Sequence, residues 1–332
     1  MRSSIRESDM VKAVDTSQPD RLEGAMESVA TLAADERFLA PHRRRWAWVR
    51  NLLRSPVGVL GATLVAMVII TATAAPMLAP HDPAELHVQD RLLPPAWAEE
   101  GSADYPLGTD QLGRDILSRI IYGSRISILV GVLGVAISLF VGVFLGLTSG
   151  YLGGWVDNLI SRLLDTFMAI PFIVLALAVL GVLGPRGSSR DSLISLIVVL
   201  GLTGWVTFTR VVRGEVLSIK EQEYVEAARS LGQVDWKILF FHILPNVTAS
   251  IIVLATLQVA TVIIAEASLS FLGLGVQPPT VTWGIMLASG RDHLATSWWL
   301  ATFPGLAITL TVLGIILLGD WLRDVLDPRM KT

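Results

Sequence analysis

Polar groups that could do chemistry are few in this chain, and three of them sit inside long apolar runs: Asp165, Gln258 and Glu266. A carboxylate in such a setting is a candidate for a polar path, because it is costly to keep there without a partner. Each also has a plainer explanation. Asp165 lies near the inner end of its run and can be interfacial. Glu266 lies beside a glycine-containing break and can hydrogen-bond the neighbouring loop. Gln258 can bridge two helices. Enzyme signatures are missing: the sequence has no GxxxxGK[ST] phosphate loop, no HExxH and no GxSxG. No two of the histidines His42, His81, His87, His242 and His293 stand three or four residues apart. His81, His87 and Asp82 could hold a metal ion in an external loop, but solvated loop histidines are the favoured reading. There are no cysteines, which removes disulfides, thiolate metal sites and cysteine nucleophiles together.

The elements that must carry these groups are long and apolar. Of 332 residues, 52% are hydrophobic and 17% charged, with a mean hydropathy of +0.58. The apolar residues come in runs of about 20, the length a helix needs to cross about 30 Å of hydrocarbon. Six spans are expected, near residues 57–79, 124–147, 159–183, 192–211, 247–269 and 299–319. The first run lies too far from the N-terminus for a cleaved signal peptide and is expected to be retained.

Residues 1–54 read as a polar, largely disordered N-terminal tail ending in Arg43, Arg44, Arg45, Arg50 and Arg54. Arginines beside a first span place that side in the cytoplasm. Residues 55–123 hold the first span and an acidic external segment. Residues 124–321 hold five further helices and a loop, 213–246, with Arg213, Lys220, Arg229 and Lys237. The tail 322–332, with Arg323, Arg329 and Lys331, then falls on the same side as the N-terminus. A net charge of -3 gives no sign of nucleic-acid binding.

Three local features qualify this plan. Residues 115–127 alternate arginines with apolar residues, which predicts an amphipathic helix at the outer interface. Gly142, Gly146 and Gly150 share one helical face, suited to close helix packing. Pro171 and Pro304 should kink or locally open the third and sixth spans.

The loop 213–246 is not disordered in character. Residues 216–231 predict a helix, which Gly232 can end in a left-handed cap. Asp235 can cap a second helix, with Trp236, Ile238, Leu239, Phe240 and Phe241 as an apolar surface, and Pro245 marks the turn into the fifth span. An apolar surface outside the membrane needs a partner or a bilayer face.

The spacing Glu226-Ala227-Ala228, then Gly232, then Leu244-Pro245, resembles the EAA motif of permeases in binding-protein-dependent ABC importers. His242 stands where that family favours isoleucine. The segments Leu107-Gly108-Thr109-Asp110-Gln111-Leu112-Gly113-Arg114-Asp115, Glu266-Ala267-Ser268-Leu269-Ser270-Phe271-Leu272-Gly273 and Gly319-Asp320-Trp321-Leu322-Arg323-Asp324 resemble the C-type permease of dipeptide and oligopeptide importers. The likeness runs from about Arg54 to the C-terminus.

The resemblance implies an all-α polytopic membrane protein with six transmembrane helices, the type I ABC importer permease fold and a cytoplasmic coupling-helix loop. It implies a multi-pass protein of a bacterial cytoplasmic (inner) membrane with both termini inside. Glu226, Ala227, Ala228, Gly232, Leu244 and Pro245 would couple the chain to an ATPase. The chain itself would carry no catalytic residue, metal or cofactor, with ATP and Mg on two cytoplasmic ABC ATPase subunits. Further partners would be a homologous second permease subunit, an extracytoplasmic substrate-binding protein, the peptide substrate and membrane lipid. Arg291 and Asp292, in the external loop 273–298, are the docking candidates for the binding protein. A nickel importer permease of the same family is the near alternative. A channel or secondary transporter is the alternative from another class, and would carry coupling-ion charges deep in the bundle.

Overall fold

The computed structural model describes residues 44–183 and 188–326, so the expected disorder of the N-terminal tail, and Arg329 and Lys331, lie outside the described residues. By contacts the chain divides into two units, residues 1–51 and 52–332. Of the first, only the opening of helix α1 (Arg44–Arg54) is described. The second is built from α2 (Pro56–Thr73), α3 (Ile116–Leu152), α4 (Gly154–Ala169), α5 (Phe172–Leu183), α6 (Ser189–Ile219), α7 (Glu223–Ser230), α8 (Leu244–Phe271), α9 (Trp283–Gly290) and α10 (Trp299–Leu326). Among the described residues the only strand-like pairing is an isolated bridge, Thr109 to Asp115.

Side chains at the helix starts satisfy backbone donors that have no partner within the helix. Ser55 Oγ accepts from the Gly58 amide at 3.1 Å, with Pro56 in the first turn. The Asp115 carboxylate accepts from the Ser118 amide at 2.8 Å and opens α3. Ser188 and Asp191 cap α6 reciprocally.

Helices α3 and α6 form the spine. A Cβ added at Gly146 would stand 2.8 Å from the Val212 side chain, and one at Gly150 would stand 2.7 Å from Val216. Ser138 Oγ donates to the Gly201 carbonyl at 2.8 Å between the same two helices. The glycine face therefore serves close packing. These contacts also fix direction. Residues 138, 146 and 150 of α3 meet 201, 212 and 216 of α6, so the two helices run parallel. Parallel neighbours require one return crossing between them, and only α4 and α5 are available to make it. They are bent by 96° at the break holding Ile170 and Pro171, and as one broken span they complete six crossings. Helices α2 and α10 run antiparallel, with Gly58 against Trp321, Gly61 against Leu318 and Gly314 against Leu64.

The opening expected at Pro171 is present, as a full break of the third span. Proline cannot donate to the ladder and its ring clashes with the preceding turn, so α4 stops at Ala169 and α5 restarts beyond Pro171. Residues 115–127 do not form the separate interfacial helix expected of them. They are the N-cap and first turns of the 37-residue α3. Arg119 is 5% exposed there, with Nε 3.6 Å from the Asp110 carboxylate and Nη1 donating to the Pro83 carbonyl at 3.1 Å. Arg114 pairs with the same Asp110 at 2.7 Å. Helix α10 continues to Leu326 and stays one helix through Pro304.

Candidate functional site

The loop between α6 and α8 is built outward from its apolar contacts. Helix α6 runs on to Ile219, so the helix expected over 216–231 is divided at Lys220–Gln222. In α7, Val225 and Ala228 are buried in a cluster with Leu147, Val212, Val216, Ile238, Ile243 and Val247. The opposite face leaves Glu226 and Ala227 exposed. The two alanines thus do different work: Ala228 seats the helix on the bundle and Ala227 faces outward. Gly232 closes α7 at φ +76, with its amide donating to the Arg229 carbonyl at 3.0 Å and the Gln233 amide to the Ala228 carbonyl at 3.1 Å. This pair of bonds is a Schellman cap, which asks for a left-handed residue at that position.

Beyond the cap the chain departs from expectation. Asp235 does not cap the second helix: Val234 holds that position and no side chain caps it. The Asp235 carboxylate instead accepts from the Tyr151 hydroxyl at 2.6 Å. Pro245 does not mark a turn. A π-helical stretch, Ile238–Ile243, carries the chain into α8, with the Leu244 amide reaching back to the Leu239 carbonyl. The wider turn absorbs a proline that lacks an amide hydrogen. Ile238 is fully buried, whereas Leu231, Val234, Trp236, Phe240 and Phe241 are exposed, Leu231 by 87%. His242 shares a 2.8 Å hydrogen bond with the Gln233 side chain, and so ties the cap to the π-helical stretch.

On the membrane part, α4, α5, α6 and α8 surround an open groove of about 480 Å³ at the elbow of the broken span. Phe167, Met168, Phe172, Thr203, Thr207, Gln258, Thr261 and Ser268 contribute to its lining. Among the described residues no Asp, Glu, Lys, Arg or His lines it. Gln258 is the one sequence-derived path candidate in it. Asp165 is exposed on α4 and outside the lining. Glu266 is 1% exposed and also outside. Its Oε1 accepts from Ser270 at 2.7 Å and from Thr282 at 2.9 Å, which joins α8 to α9. The groove's hydroxyls were missed from sequence. Thr203 and Thr207 are four apart, and Gln258, Thr261, Ala265 and Ser268 recur every three or four residues. A small or polar helical face inside an apolar span was the available signal.

Just after α9, Arg291 and Asp292 are exposed and pair with each other at 3.1 Å. The Arg291 guanidinium also sits 5.4 Å from the centroid of the Phe271 ring. His81 and His87 flank Tyr105 and approach Asp115 and Glu85, at 3.6 and 3.3 Å. Burial and the Asp90 carboxylate raise the Tyr105 phenol above its ordinary pKa. Among the described residues no three His, Asp or Glu groups converge as metal ligands.

This architecture and its motifs have known counterparts. Residues 138–332 match the family model "Binding-protein-dependent transport system inner membrane component", and residues 45–95 match "N-terminal TM domain of oligopeptide transport permease C". The chain is 44% identical over 275 residues to the di/tripeptide transport system permease protein DppC of Pseudomonas aeruginosa, covering 82% of this chain and 89% of that one. It is 41% identical over 308 residues to the glutathione transport system permease protein GsiD of Pectobacterium atrosepticum, covering 93% and 98%. Its fold matches a chain of the inward-facing MetNI methionine ABC transporter with a TM-score of 0.51 at 18% identity, over 63% of this chain and 96% of that one. The six apolar crossings, the cap at Gly232 and the matched length together place this multi-pass membrane chain in the family of binding-protein-dependent transport system inner membrane components, as a non-catalytic permease subunit.

Proposed function

We propose that this chain is one of two permease subunits in an ATP-driven importer of short peptides, with both termini and the 213–246 loop in the cytoplasm. One observation carries the reading: the loop is folded against the bundle on one side and leaves Leu231, Val234, Trp236, Phe240 and Phe241 exposed on the other. A rigid apolar surface outside the membrane is a docking face, and a cytoplasmic ATPase is the occupant that the family's transport chemistry requires. Glu226 and Ala227 lie on the open face beside it, Gly232 holds its turn, and Leu244 and Pro245 form its junction with α8. ATP and Mg belong to the ATPase partners.

The groove at the elbow supplies half of the peptide path, and the second permease supplies the other half. A bare charge at the bilayer centre costs about 3 kcal/mol on insertion scales, so a zwitterion needs a wet route. The lining is mainly apolar, with the hydroxyls of Thr203, Thr207, Thr261 and Ser268 and the Gln258 amide set into it, and the absence of fixed charge among the described residues favours no sign of peptide. Peptide is the substrate class because the relatives at 41–44% identity are named for di/tripeptide and glutathione transport. An external binding protein would deliver the peptide to the outer face, where Arg291 and Asp292 stand exposed.

The test is copurification. A C-terminal tag on the chain in gently extracted native membranes should bring down a second permease and ATPase subunits. Gly232→Val should release the ATPases and leave the permease pair intact, because a β-branched residue is strained at φ +76. Gly232→Asn should retain them, since asparagine tolerates that region. A chain recovered alone or only with itself would refute the assignment.

A further inference from the structure

Three consecutive residues at the inner end of α3 hold three separate parts of the cytoplasmic side. Ser149 Oγ donates to Asp157 of α4 at 2.5 Å, and Arg213 of α6 grips the same carboxylate with two bonds, at 2.5 and 2.7 Å. The Gly150 carbonyl accepts from Lys220 Nζ at 3.2 Å, at the root of the loop. Tyr151 reaches both sides of the Gly232 cap: its hydroxyl donates to Asp235 at 2.6 Å, and the Arg229 guanidinium lies 5.9 Å from its ring centroid. Covalently the loop continues only α6 and α8. Without these contacts, a push on the loop would enter the bundle through its own two ends and the apolar cluster. Non-polar contacts can slide. Charge-assisted bonds fixed in direction cannot do so without breaking.

We propose that Ser149, Gly150 and Tyr151 are the anchor through which the loop drives α3, with Tyr151 as the positioning residue that transmits loop movement. The proposal rests on the reading of the loop as an ATPase-docking element. It gives α3 the role of a driven helix, although α3 does not border the loop in sequence. Because α3 and α6 are in backbone-close contact along Gly142, Gly146 and Gly150, the anchored loop moves both helices as one body.

The experiment compares the intact complex carrying wild-type chain, Tyr151→Phe, Asp235→Ala, Asp235→Asn and the Tyr151→Phe/Asp235→Ala double variant. Deuterium exchange is read at residues 144–152 and 223–236, before and after trapping with ADP and vanadate. In the wild type both segments change on trapping. In Tyr151→Phe the loop still changes, the response at 144–152 is reduced, and labelled Ala-Ala imported per ATP hydrolysed falls about tenfold, the weight of one hydrogen bond to a charged group. Asp235→Asn keeps an acceptor oxygen and restores the response. The double variant is no worse than either single one. An unchanged response and import ratio in Tyr151→Phe would overturn the anchor while leaving the importer assignment intact. ATPase lost from Tyr151→Phe would also overturn it, by making the tyrosine a docking determinant instead. If the wild-type complex holds no ATPase, the importer reading itself fails. The isolated chain then still tests the contact, since Tyr151→Phe must speed exchange at 223–236 about tenfold.

Discussion

Single residues carry most of the polar energetics here, because the lipid-facing surface contributes none. Asp110 is the sole carboxylate within 4 Å of Arg119 among the described residues, and Arg119 is 5% exposed. Asp110→Ala leaves that cation buried without its counter-charge, and should destabilise the fold by about 3 kcal/mol, read as a lower unfolding midpoint in detergent. Glu266→Leu strands the Ser270 and Thr282 hydroxyls, at a cost of about 2 kcal/mol. Glu266→Gln keeps an acceptor and should unfold close to wild type in the same assay. Sequence made part of this visible. Ser270 stands four residues from Glu266, a spacing any helix brings together. Thr282 is sixteen residues on and across a turn, so only the packed structure reveals it. Tyr151 gave no sequence signal, since its partner Asp235 lies 84 residues away. Gly232 was legible because a left-handed cap has a residue preference of its own.

At the scale of elements, hydropathy told where helices cross, because in lipid every backbone group must be satisfied within its own helix. It did not tell where they begin or bend. The first turns of α3 read as interfacial because their arginines alternate with apolar residues, and only Asp110 and the Pro83 carbonyl explain why one arginine is buried. The 96° elbow lies at a proline that sequence marks, yet its angle also depends on α4 seating Ile160 and Leu164 beside Trp205, with Phe167 edge-on to that indole at 5.3 Å. The contact of α3 with α6 leaves little room for larger side chains. Gly146→Leu forces the helices apart at a site where even a Cβ is 2.8 Å from Val212. Overpacking of this kind costs about 1–3 kcal/mol or more, and the variant should lose folded protein in detergent size-exclusion profiles. Gly214, with open space around its Cβ position, should accept alanine in the same profile.

For the whole molecule, topology follows from the parallel pairing of α3 and α6 more firmly than from counting apolar runs, because five helices are long enough to cross alone and the sixth crossing is broken. The groove forms at that break. Gln258→Leu should lower dipeptide uptake about tenfold in membrane vesicles while ATPase copurification is unchanged. Loss of copurification instead would place Gln258 in assembly.

The same break bears on how the chain enters the membrane during synthesis. Helix α5 has 12 residues, about 18 Å of length, against about 30 Å of hydrocarbon. It cannot stop as a lone insertion step. The next helix begins at Ser189, with five residues between it and the end of α5. The crossing of α5 is completed only with α4, so the broken pair should leave the insertion machinery as one unit. A nascent chain halted within α5 should therefore still be held by that machinery, with α4 not yet released into lipid.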